Sequence, residues 1–148
     1  KSLAERIGMP YVIDRWLGGT LTNFSHIKSR AKYLVETEEK LARGEFKKYT
    51  KFEQAKKNEE IERLEKRMGG IKTLDMIPGA IVIADTREAD IVIHEARKLS
   101  VPIVGIVDSN TDPSFVDYPI PGNDDAVSSL RMVLGALGKV VLKAKEGK

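Results

Sequence analysis

Two short runs of β-branched residues constrain this chain more than anything else in it. Ala80-Ile81-Val82-Ile83-Ala84 and Ile103-Val104-Gly105-Ile106-Val107 are nearly pure aliphatic, and each is closed by an aspartate, Asp85 and Asp108. A continuous apolar run of this length is the pattern of a strand covered on both faces, as in a parallel sheet. Parallel neighbours need a crossover connection, usually a helix. The intervening residues Ala89 to Leu99 read as that helix, although Ile91, Val92 and Ile93 are β-branched and weaken the pattern. Val116 to Ile120 reads as a third short strand. Asn123 then caps a final helix, with Asp124 and Asp125 at its positive end and an apolar face made by Val127, Leu130, Val133, Leu134, Leu137, Val141 and Leu142. The order β-α-β-β-α predicts the α/β class, with a parallel sheet and right-handed crossovers. Three or four short strands make a thin sheet. The chain opens on Lys1 rather than Met, as a mature form or a fragment does, and a preceding N-terminal part is expected to supply further strands.

The first half has a different period. Leu3, Ala4 and Ile7 share one helical face, Gly8 and Pro10 stop that helix, and Tyr11-Val12-Ile13 reads as a very short strand. After the loop Asp14 to Thr20, Thr22 or Asn23 can cap a helix in which Ile27, Ala31, Leu34, Val35 and Leu41 recur at steps of mostly three and four. Gly44 ends it. Thr50 and Glu53 form a capping box that opens a second helix, whose narrow stripe is Ala55, Ile61, Leu64 and Met68 and whose stop is Gly69-Gly70. Two helices of about 20 residues, each roughly 30 Å long, joined by a short loop predict an antiparallel hairpin. Its surface is mostly charged, so it should project from the body. The division expected is therefore residues 1–21 and 69–148 for the α/β body, with residues 22–68 as the inserted hairpin.

Charge is divided in the same way. The net charge is only +3, from 25 Lys+Arg and 22 Asp+Glu. Residues 1–68 hold 16 basic and 11 acidic residues, residues 71–138 hold 5 and 10, and residues 139–148 hold 4 and 1. A basic front suits a polyanion such as nucleic acid, while the middle predicts an acidic body. Cysteine is absent, which excludes disulfides, thiolate metal sites and cysteine nucleophiles. No apolar run reaches the roughly 18 residues of a membrane span, and no signal-peptide pattern opens the chain.

Few residues invite catalysis. Asp85 and Asp108 stand where open parallel sheets bind ligands, which suggests a nucleotide- or metal-binding domain as the alternative reading. Neither strand is followed by a Gly-x-Gly-x-x-Gly or a Gly-Lys-Ser/Thr loop, and aspartates also end strands simply by starting turns. Gly18-Gly19 beside Thr20 and Thr22 is an equally weak phosphate cradle. Ser25 and His26 are adjacent on a helix and do not face each other, and His94-Glu95 has no second histidine four residues on. No cofactor is implied. The polyanion reading has better material: Arg15, Lys28, Arg30 and Lys32 lie near Trp16, Phe24 and Tyr33, and Lys47, Lys48 and Lys51 interleave with Phe46, Tyr49 and Phe52. Cations can hold phosphates while rings stack on exposed bases. The second group of rings can equally pack the loop against itself, and the hairpin could serve a protein partner without RNA.

Several ordered motifs resemble one family. Arg15-Trp16-Leu17-Gly18-Gly19 with Leu21-Thr22-Asn23-Phe24, then Leu64-Glu65-Lys66 leading into Gly69-Gly70-Ile71-Lys72, are similar to the bacterial-type second protein of the small ribosomal subunit, the S-two family. Pro78 with Ile81-Val82-Ile83 and Asp85, Ile93 with Glu95, Val101-Pro102-Ile103, Val107-Asp108-Ser109-Asn110 and Ile120-Pro121-Gly122-Asn123-Asp124-Asp125-Ala126 continue the match. Departures are mild: Ala89 replaces a usual acid or amide, Ser100 a usual Gly or Asn, and Thr20 a frequent Met. The family's N-terminal part is missing. The resemblance implies a flavodoxin-like body with an inserted hairpin and a structural, non-catalytic role in translation. It further implies binding to small-subunit ribosomal RNA and to neighbouring ribosomal proteins, including the S-one protein, with no membrane association. The location implied is cytoplasmic and ribosome-bound, an organelle ribosome included. It favours RNA contacts by Arg15, Trp16, Lys28, Arg30 and Lys32, with Lys47, Lys48 and Lys51 as the candidates at the hairpin tip.

Overall fold

The computed structural model describes residues 1–147, which divide into two compact units. One unit combines Lys1–Met9 with Ile77–Lys148, and the other is Pro10–Met76.

The first unit is α/β. Its sheet has three parallel strands in the order β1 (Ile81–Ile83), β2 (Ile103–Val107), β3 (Tyr118–Pro121). Helix α1 (Ser2–Ile7) lies at its start, α4 (Asp90–Lys98) connects β1 to β2, and α5 (Val127–Glu146) follows β3. The register sets Ile81 beside Ile103, and Val82, Val104 and Tyr118 in one row across all three strands. The core is Ile83, Ile103 and Ile106 from the sheet with Val92, Ile93 and Ala96 from α4. Gly105 is required here, because a Cβ would meet Thr86 Cγ2 at 2.7 Å and Val116 Cγ1 at 3.0 Å. Thr86 itself is buried, and its hydroxyl donates to the Ile106 carbonyl at 3.0 Å. Against α5, Gly138 does similar work: the Leu3 side chain of α1 lies where its Cβ would be.

Several expectations for this unit are corrected. β1 is not covered on both faces, since Val82 is 50 % exposed. Tyr118, in the same row, is exposed too, so this face of the sheet is open among the described residues and the apolar run overstated its burial. β3 begins at Tyr118, because Val116 is taken into a turn by donating its N–H to the Pro113 carbonyl. Asn123 does not cap the last helix. Its Oδ1 accepts from the N–H groups of Asp125 and Ala126 and forms a turn, and α5 starts at Val127 with Ala126 at the cap. The apolar face of α5 is only half-buried, and Val127 is exposed. Nor is the unit acidic. The basic residues of α1 and α5 join it, leaving 10 Lys+Arg against 11 Asp+Glu.

The second unit is built on α2 (Phe24–Ala42) and α3 (Lys51–Met68). Steps of four and three place Ile27, Ala31 and Leu34 on one stripe of α2, and steps of three and four place Ile61, Leu64 and Met68 on one stripe of α3. These side chains form one apolar cluster with Phe46 and Ile71, against which Val12, Leu17 and Leu74 also pack. Leu34 is completely buried. The buried stripes are shorter than their periodicity suggests, since Leu41 and Ala55 are exposed. The capping box is present, with the Thr50 hydroxyl accepting from the Glu53 N–H and the Thr50 N–H donating to Glu53 Oε2 at 2.9 Å. Residues 11–13 form no strand. Tyr11 N–H instead donates to the Gly70 carbonyl at 2.9 Å, and Ile13 is exposed.

Candidate nucleic-acid interface

The second unit carries 15 Lys+Arg against 11 Asp+Glu, an excess that the first unit lacks. Electrostatics therefore directs attention to its exposed cations, and the useful distinction is which of them are already neutralised.

Near the start of α2 the predicted residues separate. Lys28 and Lys32 are four apart and share a face, whereas Arg30 lies between them in sequence and points elsewhere. Lys28 is engaged: its Nζ donates to the Asp75 carbonyl at 2.8 Å and lies 3.3 Å from the Asp75 carboxylate. Lys32 has a looser pair with Glu36 at 3.8 Å. Arg15 and Arg30 are exposed and have no carboxylate partner among the described residues. The double-glycine loop that carries Trp16 is a turn. Gly19 sits at φ 88°, and Thr20, which is buried, bonds through both its N–H and its hydroxyl to the Leu17 carbonyl. Trp16 is half-buried, with its Nε1 buried and without a partner among the described residues.

The connection between α2 and α3 holds the other group. Gly44 takes φ 73°, which a side chain would strain, and turns the chain into a short 3-10 helix over Glu45–Lys48. Lys47, Lys48 and Lys51 all stand exposed without a carboxylate partner among the described residues. The rings here do two different things. Phe46 is buried, and its ring centroid lies 5.8 Å from that of Tyr49. Phe52 faces solvent.

Further along, Lys57 bonds to Glu60 at 2.8 Å and to Tyr33 at 3.3 Å. The bond to Glu60, then that to Tyr33, raises the lysine above its ordinary pKa, and Lys57 in turn lowers the Glu60 carboxyl. This lysine is occupied with intramolecular partners. Its pairing with Glu60 is an i,i+3 contact within α3, whereas the bond to Tyr33 joins α3 to α2, and no spacing in the sequence reveals that one.

In the other unit, Asp85 and Asp108 serve local turns. Asp85 Oδ1 accepts from the N–H groups of Arg87 and Glu88 at 3.0 and 3.3 Å, and Asp108 Oδ1 accepts from Ser109 at 2.6 Å. The Ser109 N–H is the main reason the Asp108 carboxyl sits below its usual pKa. Among the described residues no group of three or more His, Cys, Asp or Glu is arranged to hold a metal ion. No helix among them is long and apolar enough to cross a membrane.

The sequence matches the ribosomal protein S2 family over residues 1–144. The chain belongs to the ribosomal protein S2 family. Relatives agree with this. It is 49 % identical over 142 residues to the small ribosomal subunit protein uS2 of Roseiflexus castenholzii, covering 96 % of this chain and 54 % of that protein. The uS2 protein of Roseiflexus sp. (strain RS-1) is 45 % identical over the same share of each chain. This S2-family chain thus spans about half the length of the curated relatives it matches. The match includes both the Arg15–Phe24 loop and the α2–α3 connection, so the exposed cations of both segments belong to the S2-like region itself.

Proposed function

We propose that the chain is a structural constituent of the small ribosomal subunit, acting in translation by binding ribosomal RNA and neighbouring ribosomal proteins rather than by catalysis. The observation that carries this reading is membership of the S2 family across residues 1–144. The fold in this reading is a flavodoxin-like body, residues 1–21 and 69–148, with residues 22–68 inserted as an antiparallel helical hairpin. The parallel sheet supports the body and the α2–α3 core supports the hairpin, and Val12, Leu17, Ile71 and Leu74 extend that core beyond the hairpin's own residues. The ribosome-bound protein is cytoplasmic or organellar, and the S-one protein is among its neighbours.

RNA contacts are assigned to Arg15, Trp16, Lys28, Arg30, Lys32, Lys47, Lys48 and Lys51. The cations without partners support this assignment most directly, since a lysine already held by a carboxylate must exchange that pair for a phosphate. Lys28, tied twice to Asp75, should therefore contribute less than Arg30. The test is RNA retention by a variant with Arg15, Lys28, Arg30 and Lys32 changed to Ala. Each lost phosphate contact should lower the salt slope by about 0.7–0.9. Unchanged affinity and slope overturn the assignment of this loop. Co-sedimentation of the chain with small subunits, released by high salt, tests the ribosomal role itself.

A further inference from the structure

The aromatic residues around the α2–α3 connection are divided between structure and surface, and the division identifies a ligand. Phe46 is consumed by packing: it is buried in the apolar cluster and supports the Tyr49 ring. Tyr49 is also fixed along its backbone, because Gln54 Nε2 donates to its carbonyl at 2.8 Å. The residue is nonetheless 43 % exposed, with Lys48 Nζ at 5.9 Å from its ring centroid. Phe52, in the first turn of α3 directly after the capping box, is 76 % exposed and belongs to no apolar cluster among the described residues. A phenylalanine held open on a pinned helical turn is a rigid stacking surface.

Its surroundings select the partner. Within residues 45–56 the lysines are Lys47, Lys48, Lys51 and Lys56, against Glu45 and Glu53. Glu53 is occupied by the N–H and hydroxyl of Thr50, both at 2.9 Å. The excess of free cations suits phosphates. The open ring suits a base face, which a duplex hides in its own stack and an unpaired strand exposes.

We infer that Phe52, seconded by Tyr49, is a base-stacking platform and that the α2–α3 connection binds unpaired rather than double-helical RNA. This deepens the proposed ribosomal RNA binding and rests on it. The lysines hold the backbone without regard to strandedness, and the rings supply the preference for unpaired bases.

The experiment measures binding of the 148-residue chain to a labelled oligouridylate and to an RNA duplex of the same length, by fluorescence anisotropy across a salt series. Phe52→Ala should weaken oligouridylate binding about tenfold, leave duplex binding unchanged and keep the salt slope. Phe52→Leu, which keeps apolar bulk without a ring, should lose as much, and Phe52→Trp should restore binding. Changing Lys47, Lys48 and Lys51 together to Ala should weaken both RNAs and lower the single-strand slope by about 2. If the parent chain binds both RNAs and Phe52→Ala matches it, the stacking inference falls and RNA binding stands. The stacking inference falls equally if Phe52→Leu binds like the parent, which would mark an apolar protein contact. If the parent binds neither RNA at low salt, the RNA-binding reading falls and this inference with it.

Discussion

Lys72 Nζ donates to both carboxylate oxygens of Glu38, each at 2.7 Å, and it contacts Glu65 as well. One cation just beyond α3 thereby joins the two long helices, and its side chain is only 21 % exposed. Burial works against the ammonium, but the bonds to Glu38 and Glu65 outweigh it and raise Lys72 above its ordinary 10.5. Removing the lysine leaves two carboxylates facing each other without their shared cation. Lys72→Met is expected to cost about 1–2 kcal/mol, between the exposed and the buried limits for ion pairs. Urea denaturation would show this as a lower midpoint with an unchanged slope. A group whose pKa rises on folding stabilises fully below its unfolded pKa. The contribution should be flat through neutral pH and be lost as pH climbs past 10.5 and through the raised value. A variant as stable as the parent would show that the triad is merely a surface arrangement.

Two glycines make opposite predictions. A Cβ on Gly70 would collide with the Tyr11 carbonyl and come within 2.7 Å of the Tyr11 ring, at the point where the two backbones are hydrogen-bonded. Gly135 in α5 has nothing within 4 Å of such a Cβ. Gly70→Ala should destabilise by about 2 kcal/mol or more, since backbone cannot yield as a side-chain tip can. Gly135→Ala should stabilise by up to ~1 kcal/mol through helix propensity alone. Thermal melts of the two variants, displaced in opposite directions, check the pair.

The same helix-ending motif appears twice with different residues at its left-handed position. After α1, Gly8 sits at φ 62°, and the Met9 N–H reaches back to the Ala4 carbonyl. After α4 it is Ser100 at φ 55°, with its own N–H on Arg97 and the Val101 N–H on the Ala96 carbonyl at 2.9 Å. Serine bears a Cβ penalty there that glycine does not. Ser100→Gly should therefore stabilise by about 0.5–1 kcal/mol, read as an increased urea midpoint. A loss of stability would mean that the serine side chain makes up for its backbone.

What the sequence disclosed depended on whether its signals were local. The capping box at Thr50 and Glu53, the stops at Gly8 and Gly44 and the paired stripes of α2 and α3 are all written within a few residues, and each is present in the fold. Val82 misled because an apolar run reports composition rather than neighbours, and only the packing of the sheet reveals which face stays open. Tyr11–Ile13 misled because its partner, Gly70, lies far along the chain. At the candidate site, residue type and clustering were legible. What was not legible was the sorting of Phe46 from Phe52, or of tied Lys28 from free Arg30, because burial and pairing depend on the tertiary arrangement.

Beyond the ends of β2 and β3, two aspartates are displaced in opposite directions, and this can be tested. Desolvation, then the charges of Asp85, Asp108 and Asp125, raises the Asp124 carboxyl above 3.8, whereas the Ser109 N–H lowers Asp108. A raised carboxyl pKa means that the folded state holds its proton longer, so stability falls as pH rises from 3.8 through that raised value. Asp108 contributes the opposite slope, its stability being lost as pH falls through its depressed value. Asp85→Asn keeps an Oδ1 to accept from Arg87 and Glu88 but removes one repelling charge. The Asp124 midpoint, followed by carboxyl NMR titration, should then move down toward 3.8, while Asp108 keeps its own bond and stays depressed. An Asp124 midpoint unmoved by Asp85→Asn would remove Asp85 from the causes of its shift and leave desolvation with the charges of Asp108 and Asp125.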